Sequence, residues 1–466
     1  MVNTTSENGT GRLDGRAPAD GLTSPGHAPA GTTLELPAPL VNSGIPGHER
    51  SVTGSGIQLP TEPVDKKFIV SFAFAQLAFF IALLGPVTVS MAIKVTALVG
   101  PEQATTAGGL VLGIGAFAAL LGNPIAGRLS DRTVGRFGRR RPWMIGGSIG
   151  LALCLFVIAI GTTVATLIVA WFLAQLFANA CFAAYLATIA DKVPPAQSAK
   201  ISALAGVMQN VGILAALYLA QNLTDNMVGL FMIPAVIGVI GMTIYALVLK
   251  DTPLTQKLPS EGAKAFLTTF WVNPIKHADF AWAWWSRFLL VLGSFMFTSF
   301  RFYWMQDELA LSTAKAASTI TLGVLIYTGV LVVLGQLAGI VSDRIGRRKI
   351  LVFISVALFA IGLGLLTQVD TVAGFYLVEA ILGGAYGIYM GVDLALVLAV
   401  LPNPEDNAKD LGVFNIANAG PQSLAPLLGA ALLALGAGKN YDLLYISAAV
   451  LTFLGALAII PVKKVK

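Results

Sequence analysis

The chain has 466 residues, of which 56% are hydrophobic and only 12% charged, with a formal net charge of +6 and a mean hydropathy of +0.76. Soluble domains have about a quarter of their residues charged, so a water-dissolved globule is excluded and the lipid bilayer is the solvent this composition fits. Three histidines and two cysteines leave no ligand cluster for a metal or redox centre.

In chain order, residues 1–65 come first and are rich in Gly, Pro, Thr and Ser, with no apolar run long enough for a core or a secretory signal. A disordered cytoplasmic tail is expected there, containing His27 and His48. From Phe68 onward the character reverses. Apolar stretches able to cross roughly 30 Å of hydrocarbon, about 20 residues each, recur at 68–92, 106–127, 143–161, 164–189, 200–221 and 227–249. Six more follow at 279–303, 316–341, 350–367, 372–399, 411–434 and 441–462. They are continuously apolar, without the two-residue alternation of a membrane barrel, so an all-α membrane protein is expected. Its parts are a six-helix bundle over 66–250, a cytoplasmic loop over 251–278 containing His277, and a second bundle over 279–466. Cys154 and Cys181 fall inside expected helices and read as packing residues.

Between the second and third helices lies GRLSDRTVGRFGRRRP, residues 127–142, a concentration of arginine in an otherwise oily chain. Lys and Arg accumulate on cytoplasmic loops. With the N-terminus inside, the outer side carries only Lys94, Arg301, Lys315 and Lys439, while Arg287 sits within a helix. Both termini are therefore expected in the cytoplasm, with the protein in the plasma membrane and its basic loops against anionic lipid heads. Basic residues scattered over short loops do not make a nucleic-acid surface.

The arginine loop has a second copy. GIVSDRIGRRK, residues 339–349, repeats Gly127, Ser130, Asp131, Arg132, Gly138, Arg139 and Arg140 as Gly339, Ser342, Asp343, Arg344, Gly346, Arg347 and Arg348. A weaker echo sets DKVPPAQSAK (191–200) against AVLPNPEDNAK (399–409), with Pro194 and Pro402 closing the fourth helix of each half. An offset of about 210 residues between the copies marks a duplicated six-helix unit.

These paired loops resemble the signature of the major facilitator superfamily, in which Gly, three residues, Asp and Arg or Lys precede a Gly-Arg-Arg element after the second helix of each half. The segments RFGRRRP, ATIADKVPPAQ and VDLALVLAVLP are similar to those of the sucrose-transporter-like and glycoside-pentoside-hexuronide:cation symporter branches. The resemblance implies two six-helix repeats that alternate access to the two sides of the membrane. Physical reasoning gives the loop a part in this. Asp131 is unfavourable at the carboxyl end of its own helix, so it is expected to cap helix 11 across the two halves, and Asp343 to cap helix 5. Gly127, Asp131, Arg132, Arg139, Arg140, Gly339, Asp343, Arg344, Arg347 and Arg348 then form a conformational gate. The alternative is simple anchoring, in which the arginines matter and the aspartates do not.

Ionisable groups within hydrocarbon are expensive and point to function. On helix 10, Glu379, Tyr386 and Asp393 stand seven apart, on one face over about 21 Å. Asp393 is the leading coupling-ion residue, with Glu379 second; the alternative is that Asp393 pairs with an arginine or hydrates at the interface. Arg287 is expected to pair with Asp393, to hold a substrate oxygen, or to snorkel. Gln76, Gln175, Asn179, Gln209, Asn210, Asn415 and Asn418 complete the substrate candidates with Tyr386, because amides donate and accept and rings stack on sugar faces. The same amides also serve plain interhelical bonding. The expected function is secondary active symport of a small polar solute, a sugar or glycoside, coupled to H+ or Na+ and needing no other cofactor, by a monomer. The rivals are a drug or metabolite exporter, disfavoured because helix 5 has no proline, and a non-transporting sensor. An enzyme is not expected, since no nucleotide loop or catalytic cluster is present.

Overall fold

The computed structural model describes residues 63–251, 273–401, 407–435, 439–463 and 465. The expected tail, except its last three residues, and most of the expected 251–278 loop lie outside the described residues, as does the side chain of Asp343. Twelve long helices follow one another: α1 (Lys66–Val99), α2 (Pro101–Asp131), α3 (Arg141–Ile160), α4 (Val164–Lys192), α5 (Pro195–Asn222), α6 (Met227–Val248), α7 (Ala278–Asp307), α8 (Thr313–Ile345), α9 (Arg348–Leu365), α10 (Val372–Val400), α11 (Asn407–Leu433) and α12 (Tyr441–Ala458). No strand occurs among the described residues. Eleven of the helices are long and apolar enough to cross a membrane; α11 falls short because Asn415, Asn418, Pro421, Gln422 and Pro426 dilute it.

Several helices run past the spans that hydropathy marks. α1 continues to Val99, α2 begins at Pro101, α5 at Pro195, and α7 continues to Asp307. Beyond the apolar span a helix needs no apolar composition, so its polar end turns can continue it. Lys94 and Lys315, which lie outside the expected spans, are therefore helical. Lys94 is buried and donates to the carbonyl of Ala159 at 2.8 Å, one of the unpaired carbonyls closing α3.

Because α2 ends and α3 begins at the arginine loop, we call that side of the bundle the basic end and the other the far end. Five helices that start at the far end carry side-chain caps: Thr163, Asn226, Ser312, Thr371 and Asn440 accept from backbone amides of α4, α6, α8, α10 and α12. Those caps satisfy amides that neither lipid nor helix would.

The packing reproduces the sequence repeat. In the first half α1 packs on α5 and α6, α2 on α4, and α3 on α4 and α6. In the second, α7 packs on α11 and α12, α8 on α10, and α9 on α10 and α12. Each contact recurs six helices later. The halves meet where α2 lies on α11 and α5 on α8. Toward the far end, Gly109 and Gly113 of α2 leave room for Ala430 and Leu427 of α11, and Gly108 for Tyr303 of α7, so the halves are sealed there.

Helices in lipid attract one another by close contact, and small residues allow it. On α10, Gly383, Gly387 and Gly391 lie against the backbones of Tyr327, Leu331 and Gly335 on α8, with Gly339 close by. A Cβ on Gly387 would overlap the Leu331 backbone. Gly387→Val is therefore expected to cost about 3 kcal/mol, seen as a lowered unfolding temperature in detergent. Gly206→Ala on α5, where a Cβ meets nothing within 4 Å, is expected to be neutral or to stabilise by about 0.5–1 kcal/mol.

A cavity between the halves and two buried ion pairs

α1 is interrupted where it reaches the centre of the bundle. Pro86 has no N–H to continue the helical ladder, and residues Pro86–Ser90 form a π-helical turn. Thr88 Oγ1 donates to the Leu84 carbonyl at 2.6 Å, and Thr88 and Val87 face a cavity. The cavity leaves about 180 Å³ for the centres of water-sized molecules and lies on the basic-end side of the far-end seal. Trp171 and Gln175 of α4 and Asn210 of α5 line it from the first half. Thr298 and Arg301 of α7, Tyr327 of α8, Phe359 of α9, Glu379 and Tyr386 of α10 and Gln422 of α11 line it from the second. Among the described lining residues the charged ones are Arg301 and Glu379. They pair at 3.2 Å, both almost wholly buried.

A second pair lies further toward the basic end. Arg287 of α7 and Asp393 of α10 form a direct salt bridge, also buried. Arg287 Nε donates to the Tyr389 hydroxyl at 3.3 Å, and its guanidinium sits 4.6 Å over the Phe414 ring. Asp393, Arg287, Tyr389 and Phe414 are not among the residues lining the cavity. The two pairs are rungs of one ladder. α7 and α10 run antiparallel, and the fourteen residues from Arg287 to Arg301 match the fourteen from Glu379 to Asp393, about 21 Å along each axis.

The structure thus separates the candidate residues. Gln175, Asn210, Tyr386 and Glu379 come together at the cavity, and Gln422, Tyr327 and Trp171 join them. Asn179 instead bonds within the first half, donating to the Gln175 carbonyl at 2.9 Å and accepting from Asn123 of α2 at 3.3 Å. Gln76 and Gln209 are buried outside the lining, and Asn418 donates to Asn415 at 3.4 Å along α11. Arg301, counted from the sequence on the outer side, is a second buried cation on α7 and lines the cavity. Its place close to the end of the expected 279–303 span put it among the outer-side charges.

At the basic end Asp131 is held by a contact inside the first half; the expected cap on helix 11 belongs to a form closed at that end, whereas the cavity here lies on the basic-end side of the seal. Arg140 pairs with Asp131 at 2.5 Å and with Asp191 at the end of α4 at 2.9 Å, and donates to Ser130 at 3.0 Å. Arg139 reaches Asp191 as well, at 2.5 Å. A full guanidinium charge nearby outcompetes the partial charge of a distant helix terminus. Burial alone would lower the Arg140 pKa, but Asp191 and Asp131 outweigh it and raise it. Gly138, with φ +87°, admits Asp251, whose carboxylate accepts from the Arg140 and Arg141 amides at 2.7 and 3.1 Å and caps α3. Its repeat counterpart Gly346 is also left-handed, with φ +64°, and closes α8. Gly127 lies in ordinary contact with Ala183 on α4. Arg132 and Arg348 are half-buried, whereas Arg344 and Arg347 are exposed. Arg140→Ala takes from Asp131 its arginine and from Asp191 one of two, and is expected to cost about 2–3 kcal/mol. Arg140→Lys should recover only part of that in the same thermal unfolding measurement, since lysine lacks the forked donor geometry.

The sequence matches the Major Facilitator Superfamily over residues 68–338 and 316–466. The chain belongs to that superfamily. Two solved structures share its fold: a point mutant of the nucleoside transporter NupG, with TM-score 0.68, 13% identity and coverage of 85% of this chain and 99% of that one, and NupG itself, with 0.65, 14%, 86% and 99%. Such low identities speak for fold alone. A 45-residue stretch is 56% identical to the uncharacterized symporter sll1374 of Synechocystis sp.; it spans 10% of this chain and only 8% of that protein. As a superfamily member the chain is a multi-pass membrane transporter of small solutes, and the central cavity between its halves is the candidate solute site.

Proposed function

We propose that this protein is a cation-coupled symporter of a polyhydroxylated solute, a sugar or glycoside, with the proton carried by Glu379. One observation carries the reading: a cavity of amides, hydroxyls and aromatic faces has in its wall one buried carboxylate, held by one arginine. Gln175, Asn210 and Gln422 can both donate to and accept from hydroxyl groups, and Trp171, Tyr327 and Phe359 offer apolar ring surface for a sugar face. Glu379 supplies a titratable group beside that site. Asp393, the more prominent acid in the sequence, is locked to Arg287 away from the cavity and takes the part of a fixed structural charge. The basic end faces the cytoplasm of the plasma membrane, and the protein works as a monomer.

The short match to a protein named as a symporter and the fold shared with nucleoside transporters lend weight to a small polar cargo. The test is uptake of labelled mono- and disaccharides, methyl glycosides and uridine into proteoliposomes, with an inward proton or sodium gradient. Gradient-stimulated uptake of a sugar or glycoside is the expected outcome. Uptake of uridine alone would replace the sugar by a nucleoside, and accumulation only against an outward-directed gradient would make the protein an exporter.

A further inference from the structure

We infer that Gly115 of α2 is a specificity-determining residue: it seats the Trp171 indole of α4 clear of the cavity and so sets the largest solute that the cavity takes; this rests on the symport reading above. The two walls of the cavity differ in kind. The second half fills its side with rings, among them Phe297, Tyr327, Phe359 and Tyr386. Among the described lining residues the first half contributes one aromatic ring, Trp171, beside slighter side chains such as Thr88, Ala116 and Ala119. The room left for a solute therefore depends on where that indole lies.

Its place is decided on α2. Trp171 is wholly buried, and the edge of its five-membered ring lies where a side chain at position 115 would begin. A Cβ on Gly115 would overlap Cδ1 and Nε1 of that ring. Gly115 is helical with no positive φ, so its backbone does not call for glycine; the indole does. No hydrogen bond tethers the ring, since Nε1 is buried without an acceptor. Packing alone holds it, and a methyl group at 115 displaces it toward the open space that it borders, the cavity. Gln175, one turn along α4 on the same face, lines the same wall, so a displaced ring narrows the space in front of that amide. The role is separate from the seal between the halves. Gly108, Gly109 and Gly113 of α2 face Tyr303, Ala430 and Leu427 of the second half, whereas Gly115 faces Trp171 within the first.

Uptake into proteoliposomes is compared for the smallest and the largest member of a series of labelled monosaccharides, methyl glycosides and disaccharides that the unaltered protein accepts. One methyl group in a fitted pocket is worth about tenfold or more. In Gly115→Ala the ratio of kcat/KM for the largest sugar to that for the smallest should therefore fall by at least about tenfold, chiefly through KM. Trp171→Leu alone should raise that ratio, and adding Gly115→Ala to it should change nothing further, because no indole is left to displace. Equal losses for both sugars, or a full Gly115→Ala effect in the Trp171→Leu background, would overturn the inference and leave symport standing. The ring is also followed without solute, through the indole N–H resonances of protein labelled at tryptophan nitrogen. The signal missing from Trp171→Leu belongs to Trp171; it should move in Gly115→Ala and keep its place in Gly206→Ala. An unmoved signal in Gly115→Ala would sink the inference whatever the uptake. Failure of every sugar to enter would count against the symport reading, and the resonance then decides separately whether Gly115 seats the ring.

Discussion

Glu379→Gln is expected to reduce gradient-driven solute uptake by about a hundredfold, equivalent to about 2.7 kcal/mol, while solute exchange between the two sides of the membrane continues. Glutamine keeps the size of the side chain and still accepts a hydrogen bond from Arg301, but it cannot bind and release a proton. Net symport requires that cycle; exchange needs only that the loaded carrier reorient. Since Glu379 is 1% exposed and its partner Arg301 5%, the variant also leaves a buried cation short of its anion. A readout of folding is therefore needed beside the flux. Arg301→Gln in combination with Glu379→Gln removes both charges and should recover folding without recovering coupling. Gradient stimulation that survives in Glu379→Gln would show that the proton is carried elsewhere.

The second large effect concerns Arg287 and Asp393. Asp393→Asn leaves Arg287 buried without its counter-charge, beside the Tyr389 hydroxyl and the Phe414 ring. Breaking a buried pair from one side costs about 3–5 kcal/mol, whereas replacing both partners by apolar residues is often neutral. Asp393→Asn and Arg287→Met should each cause a steep loss of folded protein in detergent, and the double variant Arg287→Met, Asp393→Leu should regain most of it. Retention of gradient-driven uptake by the double variant would complete the case for a fixed structural charge. A stable Asp393→Asn protein that binds solute but has lost coupling would instead return the coupling site to Asp393.

Much of the fold was legible because lipid imposes a simple rule: a span must be helical and apolar over about 20 residues. The duplicated loops then fixed the pairing of helices, and Gly138 and Gly346 proved to share a left-handed backbone as well as a motif. Helix ends were less legible, since the polar turns at Pro101, Pro195 and Asp307 remain helical for reasons that hydropathy does not register. On α10 the seven-residue spacing identified Glu379, Tyr386 and Asp393 and set Asp393 ahead of Glu379, yet Glu379 and Tyr386 line the cavity and Asp393 pairs with Arg287 outside it. Which of them borders the cavity depends on how α7 meets α10, and spacing on α10 alone does not reveal that. One signal was available in the sequence: Arg287 and Arg301 are as far apart as Glu379 and Asp393, which on antiparallel helices predicts two rungs. The partner that Asp131 takes in this form was not legible for a different reason. A charged partner close in the chain, Arg140, lies within reach of it, and sequence distance alone does not reveal which of many loop arginines turns inward.

The central claim is that a proton accompanies the solute on Glu379. The most direct measurement is the internal pH of proteoliposomes loaded with a pH-sensitive dye when solute alone is added outside, with no gradient imposed. Acidification of the lumen in step with solute entry, absent in Glu379→Gln, is the predicted result. Solute entry that leaves the internal pH unchanged would contradict it.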